Sequence, residues 1–307
     1  MRIDEIIARR TEPVFSFEFF PPKSEEGERS LRRSLEELRE LAPDFASVTY
    51  GAGGSTRERT LQIVTWLKRE LGIEAMAHLT CVGASVAELR ATLDQIVAAD
   101  IENVLALRGD PPRGETRWRA HPRGLRHASE LIELIASGYP LCIGAACFPE
   151  LHPDSPDPLS DLQHLKLKVQ CGASFLITQL FFDNELYFRF VEAARFAGID
   201  VPILPGIMPI TSLAQVKAIT SMCGATIPAQ LLEALEWRAA DPESVAELGV
   251  AHATLQCAEL LAGGAPGIHF YTLNRSPATR AILSALRIQQ PWRAAQPSPG
   301  APAAAIS

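Results

Sequence analysis

Apolar segments of strand length alternate with segments of helical periodicity along almost the whole chain. The strand-like segments lie near residues 14–20, 45–50, 74–80, 103–108, 141–148, 174–181, 201–207 and 267–273. The helical segments lie near residues 24–41, 56–71, 86–98, 126–137, 160–171, 184–197, 212–221 and 277–287. These eight strand–helix units predict an α/β fold, a single (β/α)8 TIM-type barrel. A doubly wound sheet is the alternative, although no GxGxxG motif follows the first strand to form a Rossmann dinucleotide site.

Two stretches fall outside this repeat. Residues 228–264 carry two helical patterns separated by Asp241-Pro242, which predicts a helical insertion before the last strand because Asp can cap a helix and Pro can begin one. The tail from Gln289 is rich in Pro, Ala, Gln and Ser, and we expect it to be disordered. The predicted organisation is a catalytic barrel over 1–288 and a disordered tail over 289–307.

Three serines predict the first residues of helices. Ser85, Ser160 and Ser212 each stand three residues before Glu or Gln and just before a helical pattern. This spacing is that of a capping box, in which two side chains satisfy the first free N–H groups of a helix.

The bulk composition excludes several classes of function. The net charge of -7 gives no electrostatic basis for binding nucleic acid or an anionic membrane. The six cysteines form no CxxC pair, which favours reduced core thiols over a disulfide framework or a zinc site. The chain starts with charged residues and has no apolar run of about 20 residues, so we predict no signal peptide and no membrane span. We therefore expect a cytoplasmic protein.

Glu18 is the strongest candidate for a catalytic residue. It lies in the run Val14–Pro22, where every neighbour except Ser16 is apolar. Burial among apolar groups would raise the pKa of this carboxyl and keep it neutral near pH 7. A neutral carboxylic acid is a proton donor, which general acid catalysis needs. The alternative is a structural glutamate bound to a nearby arginine or to backbone N–H groups.

Hydrogen-bonding or ionisable groups recur where the predicted strands end, and barrel enzymes place their chemistry at those ends. The groups are Glu18, Thr49, Tyr50, His78, Arg108, Gly109, Asp110, Phe148, His152, Gln179, Asn274 and Arg275. The sequence has no strand-end Lys for a Schiff base, no His/Asp/Glu cluster at metal spacing and no GxSxG elbow. The set suits binding a large planar heterocycle and donating a proton to it, with the redox power supplied by a cofactor.

Eight short motifs, one per predicted strand, carry a family resemblance. They are Phe17–Pro22, Ser47–Gly51, Ala77–Cys81, Leu107–Pro111, Pro149–Pro153, Ile177–Asp183, Pro205–Pro209 and Phe270–Arg275. In this order they closely resemble the bacterial methylenetetrahydrofolate reductases, and the resemblance runs from about residue 12 to residue 288.

The resemblance implies an enzyme that reduces 5,10-methylenetetrahydrofolate to 5-methyltetrahydrofolate and so supplies methionine biosynthesis. It implies non-covalently bound FAD, reduced by NADH or NADPH in a ping-pong scheme within one shared pocket. Flavin-free hydride transfer from the nicotinamide to the same folate is an alternative, and a non-catalytic folate-binding paralogue is another. We also expect a homo-oligomer, no nucleic acid, no membrane and no metal among the partners.

The resemblance also implies roles for individual residues. Glu18 matches the family's general acid, and Asp110 matches a second carboxylate near both flavin and pterin. The folate would contact Asp110, Gln179, Gln215 and Arg275, and the nicotinamide would contact Thr49 and Gln179. The flavin would contact Thr49, Tyr50, His78, Arg108, Gly109, Asp110, Ala128, Phe148, His152, Ser155, Asp161, His164 and Lys168.

Some positions depart from the family's better-known pattern. Phe148 and His127 stand where Tyr is expected, His164 replaces Asn, and Ile219 replaces Phe. Leu167 replaces an Arg on the helix that should face the FAD diphosphate, so a cation is missing there. We therefore predict weaker FAD binding, or a diphosphate path that uses His164 and Lys168.

Overall fold

A parallel barrel underlies the alternation of strands and helices. The structure, a computed structural model, describes residues 1–50, 56–110 and 119–293. Its strands are β1 Val14–Phe19, β2 Phe45–Val48, β3 Ala75–Thr80, β4 Asn103–Leu107, β5 Cys142–Cys147, β6 Phe175–Thr178, β7 Ile203–Leu204, β8 Gly206–Ile207 and β9 Gly267–Tyr271. Its helices are α1 Ile3–Arg9, α2 Glu25–Arg39, α3 Arg57–Arg69, α4 Val86–Ala98, α5 Ala128–Gly138, α6 Pro158–Gln170, α7 Asn184–Phe196, α8 Leu213–Cys223, α9 Ala229–Trp237, α10 Pro242–Ala262 and α11 Pro277–Gln289.

The strands pair in the order β7-β6-β5-β4-β3-β2-β1-β9-β8. Pro205 divides the predicted strand 201–207 into β7, which pairs with β6, and β8, which pairs with β9. The two short strands together occupy the seventh position of the barrel and bring its wall nearly to closure. The prediction of a (β/α)8 barrel is therefore confirmed.

The two faces of each strand meet different surroundings, as the twofold alternation of a strand requires. Phe15, Phe17 and Phe19 point outward and join the large core between the strands and the helices. Residues of the opposite face fill the barrel interior. Near the N-terminal ends of the strands this interior is apolar, with Val14, Phe45, Met76, Leu105, Cys142, Phe175, Ile177 and Leu204.

Helix α1, which the sequence patterns did not predict, closes the N-terminal end of the barrel. Ile3 is fully buried against the apolar interior layer. Asn103 fixes this helix, since its Oδ1 accepts a 2.8 Å hydrogen bond from Ile3 N and its Nδ2 donates to Met1 O over 3.1 Å. A seven-residue helix is too short to be stable alone, so the packing on the barrel stabilises it.

The predicted helix starts are partly confirmed. Ser85 and Glu88 form the expected reciprocal capping box at α4. Ser212 accepts a hydrogen bond from Gln215 N at the start of α8. The prediction at Ser160 is wrong: α6 begins three residues earlier, because Asp157 caps it by accepting from Ser160 N and Pro158 occupies the first turn.

The insertion before the last strand is present as α9 and α10, and Asp241 caps α10 as expected. After α11 the chain forms a short 3₁₀ turn, Pro291–Arg293. In this turn Trp292 is buried, with its ring edge-on to Phe15 at a centroid distance of 6.0 Å. The barrel therefore includes residues through Arg293, and the rest of the predicted tail lies outside the described residues.

The structure also shows the state of the cysteines and the character of the helices. All six cysteines are free thiols, and Cys81, Cys142, Cys147 and Cys257 are buried. Across the three described ranges, no helix combines the length and the apolar character that crossing a membrane requires.

Candidate active site

Above the apolar interior layer, the inward-facing positions become polar towards the C-terminal ends of the strands. Ser16 and Glu18 follow Val14 on the inner face of β1, and His78 and His269 occupy inner positions of β3 and β9. The strand register pairs Ser16 with His269 and Glu18 with Tyr271 of β9, so His269 lies level with Ser16 and one inner layer below Glu18.

Two histidines flank the carboxylate of Glu18. His78 Nε2 lies 3.3 Å from Glu18 Oε2, and His269 Nε2 lies 3.4 Å from the same oxygen. Burial raises the pKa of Glu18, but the two imidazoles together outweigh burial and hold this pKa at about 2. The expectation of a carboxyl kept neutral by apolar surroundings is therefore wrong, and Glu18 is ionised in the protein without ligands.

The error came from treating neighbours in sequence as neighbours in space. Phe17 and Phe19 flank Glu18 along the chain, yet they point to the opposite face of β1 and pack against helices. The groups that face Glu18 come from β3 and β9, and they are imidazoles. His269 was missed because it does not lie at a strand end. The signal that could have found it is the alternation along each strand, which puts the polar residues Ser16 and His269 on the inner faces of β1 and β9. The register of the two strands pairs them.

His269 connects Glu18 to Ser16. Ser16 Oγ lies 2.8 Å from His269 Nδ1, while Nε2 of the same ring faces the Glu18 carboxylate. Both contacts are satisfied when the serine hydroxyl donates to Nδ1 and the Nε2–H group points at Glu18. The ring is held parallel to Phe45, with centroids 6.0 Å apart, and edge-on to Tyr271, so it has little freedom to turn.

A second group of side chains lies in the loop that follows β5. His152 Nδ1 accepts a hydrogen bond from Asp154 N over 3.0 Å, so the proton of the neutral ring is on Nε2. Burial and the neighbouring Arg108 lower the pKa of His152, which favours this neutral form. Phe148 lies edge-on to His152 at a centroid distance of 4.5 Å. His152 is thus held in a fixed orientation in which its Nε2–H group can donate a hydrogen bond.

Asp161 organises the same loop from helix α6. Its two carboxylate oxygens accept from His152 N over 3.1 Å and from Ser155 Oγ over 3.0 Å. Asp161 and Ser155, both expected to contact a flavin, therefore bond to each other and shape the loop around His152.

The end of β4 contributes Arg108, Gly109 and Asp110. Arg108 forms a 2.7 Å ion pair with Asp154, which ties the end of β4 to the loop after β5. Gly109 has φ of +86°, and a Cβ atom there would lie 2.5 Å from Val82 Cγ1, so any other residue would be strained and would force its neighbours to shift. Asp110 is exposed at the mouth of the barrel.

Helix α6 presents Lys168 towards the barrel wall. Lys168 Nζ donates to the carbonyl oxygen of Ala146 over 2.9 Å, and burial lowers its pKa. His164, one turn earlier, is exposed, and the side chain of Leu167 is 45% exposed where the resemblance leads one to expect an arginine. Ala128 is buried at the first turn of α5, next to this region in the barrel order.

The remaining predicted site residues lie around the same mouth. Thr49 is held by hydrogen bonds from its N–H to Phe19 O and from Thr60 Oγ1 to its carbonyl. Tyr50 accepts a hydrogen bond from Arg57, and burial raises the pKa of its phenol.

Three further residues complete the set of predicted contacts. Gln179 is half-buried at the end of β6, and its Oε1 accepts from Leu180 N over 2.9 Å. Gln215, in the first turn of α8, and Arg275, after β9, are exposed at the mouth. Most of the predicted site residues thus follow the C-terminal ends of the strands, whereas Lys168 lies in the last turn of α6 and reaches the end of β5 through its hydrogen bond to Ala146 O.

Three buried polar atoms near the mouth lack a hydrogen-bond partner among the described residues, namely Ser47 Oγ, His78 Nε2 and Thr80 Oγ1. His78 Nε2 faces Glu18 as a charge neighbour, without hydrogen-bond alignment. Leaving a buried polar atom unpaired costs about 1–3 kcal/mol, which a polar ligand can recover. Within the described ranges, no group of three or more His, Cys, Asp or Glu side chains has the arrangement of a metal site.

The fold and this ring of strand-end side chains define a (β/α)8-barrel enzyme with its site at the C-terminal mouth. A sequence model of the methylenetetrahydrofolate reductase family matches residues 2–287. The chain therefore belongs to the methylenetetrahydrofolate reductase family.

Individual relatives agree with this assignment. The 5,10-methylenetetrahydrofolate reductase of Escherichia coli is 38% identical over 274 residues, covering 89% of this chain and 90% of that protein. Methylenetetrahydrofolate reductase (NADH) 1 of Arabidopsis thaliana is 37% identical and covers 95% of this chain, but the chain spans only 53% of that protein's length.

A solved structure shares the fold. It is an uncharacterised Clostridium thermocellum protein that binds two copies of 5-methyl-5,6,7,8-tetrahydrofolic acid, with a TM-score of 0.66 and 18% identity. The alignment covers 94% of this chain and 99% of that one.

Proposed function

We propose that the protein reduces 5,10-methylenetetrahydrofolate to 5-methyltetrahydrofolate, with hydride from NADH or NADPH. The observation that carries the proposal is the carboxylate of Glu18 between two imidazoles, above the apolar interior layer of the described barrel. Opening the five-membered ring of the folate requires a proton on the departing nitrogen. The iminium cation that results accepts the hydride, and the product is a methyl group.

Glu18 is the member of its group that can deliver this proton. Its side chain is 16% exposed, whereas those of His78 and His269 are 6% and 0% exposed. A proton taken up from solvent by the three residues can move to Glu18 when folate enters, because exclusion of water raises the proton affinity of a carboxylate. An ionised resting state thus remains compatible with general acid catalysis, which contributes roughly 10²–10⁴-fold in rate.

Other residues at the mouth have the chemistry to bind the folate and the nicotinamide. We assign Asp110 to the pterin, since a carboxylate pairs with two parallel N–H donors, and Arg275 to the glutamate carboxylates. Gln179, with an amide that both donates and accepts, serves folate and nicotinamide in turn. Thr49 is assigned to the nicotinamide and Gln215 to the folate. This sharing of one mouth supports a ping-pong scheme.

The residues present fit a bound FAD. Thr80 Oγ1, which lacks a partner among the described residues, and the fixed Nε2–H donor of His152 offer hydrogen bonds to a polar ring system. The cation of Lys168 suits a diphosphate. The flavin contacts we assign are Thr49, Tyr50, His78, Arg108, Gly109, Asp110, Ala128, Phe148, His152, Ser155, Asp161, His164 and Lys168. When bound, FAD would accept a hydride from the nicotinamide and donate a hydride to the folate.

An absorbance spectrum of the purified protein tests the cofactor. We expect flavin absorbance that bleaches on addition of NADH or NADPH and returns on addition of 5,10-methylenetetrahydrofolate. A colourless protein that still forms 5-methyltetrahydrofolate would establish flavin-free hydride transfer instead. A protein that binds 5-methyltetrahydrofolate without turnover would contradict the enzymatic proposal. Light scattering on the same sample tests the expected homo-oligomer, and the cytoplasmic location stays a prediction.

A further inference from the structure

The turn after β9 has an uncommon backbone. Leu273 and Asn274 follow one another with φ of +52° and +59°, in the left-handed region that non-glycine residues seldom adopt. Such a conformation persists only when the surrounding contacts enforce it. Asn is the non-glycine residue best suited to it, because its side chain can hydrogen-bond locally.

Asn274 uses its side chain to bind the backbone of Phe20. Its Oδ1 accepts from Phe20 N over 2.9 Å, and its Nδ2 donates to Phe20 O over 2.8 Å. The amide thus pairs with both polar groups of one residue, as a neighbouring strand would. Asn274 is 7% exposed, and its carbonyl accepts from Ser34 Oγ on α2 over 2.9 Å.

A second bridge lies beside the first. Thr272 Oγ1 donates to the carbonyl of Glu18 over 2.6 Å, and Asn274 N donates to Thr272 Oγ1 over 3.2 Å. The turn is closed by a hydrogen bond from Arg275 N to Thr272 O. The backbone on either side of Phe20 is therefore fixed to the backbone immediately before Arg275.

We propose that Asn274 is a positioning residue that sets the spacing between the carboxyl of Glu18 and the guanidinium of Arg275. Glu18 lies two residues before Phe20, and Arg275 directly follows Asn274. The two groups act on opposite ends of one folate molecule in the function proposed above, on which this inference rests. A rigid link between them fixes the distance between the cation that binds the glutamate tail and the acid that meets the pterin.

Asn274→Gly tests the link, because glycine tolerates the left-handed backbone but removes both hydrogen bonds to Phe20. Calorimetric titration with 5-methyltetrahydrofolate should show about tenfold weaker binding, the change that a loss of 1.4 kcal/mol produces. Asn274→Asp keeps the acceptor for Phe20 N and loses the donor to Phe20 O. Its affinity for 5-methyltetrahydrofolate should therefore lie between those of the natural chain and Asn274→Gly. Unchanged binding in both folded variants would overturn the proposal.

Asn103 provides a matched control. It makes the same double bridge to backbone, with Ile3 N and Met1 O, at the opposite end of the barrel. Asn103→Ala should lower the melting temperature without changing the dissociation constant for 5-methyltetrahydrofolate. If it weakens binding as much as Asn274→Gly does, the effect of Asn274 is general destabilisation and the positioning role is refuted.

A double-mutant cycle separates this proposal from the proposed function. Arg275→Gln alone should weaken binding, and in that background Asn274→Gly should have little further effect, because the link then has no cation to position. Full additivity would refute the positioning role while leaving the folate site intact. No effect of Arg275→Gln itself would instead contradict the assignment of Arg275 to the folate.

Discussion

Ser16 Oγ lies 2.8 Å from Nδ1 of His269, inside a barrel where both residues are fully buried. The contact engages Nδ1 of His269 and leaves its Nε2 to face Glu18. The buried side of the carboxylate therefore faces the Nε2–H group. Neither residue lies at a strand end, which is where barrel enzymes carry most of their chemistry. The carboxylate that we propose as the acid therefore contacts a hydrogen-bond chain that starts one layer deeper in the barrel.

Replacing Glu18 by Gln should separate the two halves of the reaction. The amide cannot donate a proton as an acid does, so folate reduction should fall by roughly 10²–10⁴-fold. Reduction of the bound flavin by NADH needs no proton from Glu18 and should stay within about twofold by stopped-flow absorbance. Unchanged rates for both halves would show that Glu18 is not the acid.

The same variant should change the stability of the protein in acid. Glu18 has a pKa of about 2 in the folded chain, below its ordinary value of 4.5. A depressed carboxylate pKa contributes stability above the unfolded value, and this contribution is lost as the pH falls from about 4.5 towards 2. Urea unfolding at pH 3 to 6 should therefore show a shallower loss of stability for Glu18→Gln than for the natural chain.

Ser16→Ala tests the hydrogen-bond chain from its buried end. Without the hydroxyl, Nδ1 of His269 loses its donor, and the orientation of the proton towards Glu18 is no longer fixed. We expect the folate half-reaction to slow about tenfold and its pH profile to shift, while flavin reduction is unchanged.

Ser47→Ala is the control for Ser16→Ala. Ser47 is also fully buried, and it is the register partner of Glu18 on β2, but its hydroxyl makes no hydrogen bond to His269 or to any other described residue. Its removal should leave the pH profile of the folate half-reaction unchanged, because the contact between Ser16 and His269 is kept. Equal effects of the two substitutions would mean that His269 does not act through Ser16.

Gly109→Ala should lower the free energy of unfolding by more than the strain of a positive φ alone would. Its φ is +86°, and an added Cβ would lie 2.5 Å from Val82 Cγ1. Gly72 is a control with φ of +68° and nothing within 4 Å of the added atom. Urea unfolding should give a loss of about 1–2 kcal/mol for Gly72→Ala. The loss for Gly109→Ala should be larger by about 1–3 kcal/mol, the cost of overpacking; similar losses would contradict the close packing.

Leu167→Arg should strengthen flavin binding if the diphosphate lies along α6. The side chain is 45% exposed, so the substitution sacrifices little packing. A guanidinium beside a diphosphate should tighten the FAD dissociation constant by about three- to tenfold, as measured by quenching of flavin fluorescence. Gln170→Arg adds the same charge at the exposed C-terminal end of the helix and should have no effect. Equal effects would place the diphosphate elsewhere.

The sequence predicted the barrel because apolar strand-like segments alternate with segments of helical periodicity along most of the chain. It predicted the mouth residues because the C-terminal ends of parallel strands meet at one end of the barrel. It failed at Glu18, whose protonation depends on His78 and His269, and those residues are distant in sequence and reach it only through strand register. It also failed at α1, which is short and is stabilised by burial of Ile3 rather than by an extended apolar stripe.

Pro205 interrupts the wall of the barrel, and the strands on this side of the mouth are paired less extensively than β1. β7 and β8 each pair only two residues with a single neighbour, whereas β1, which carries Glu18, pairs four residues with β2 and five with β9. Amide protons near Pro205 should exchange with solvent well before those of β1. This part of the wall lies two strands from the firmly held acid. Its freedom to widen or contract is what the proposed ping-pong scheme requires of an opening shared by two reactants of unlike shape.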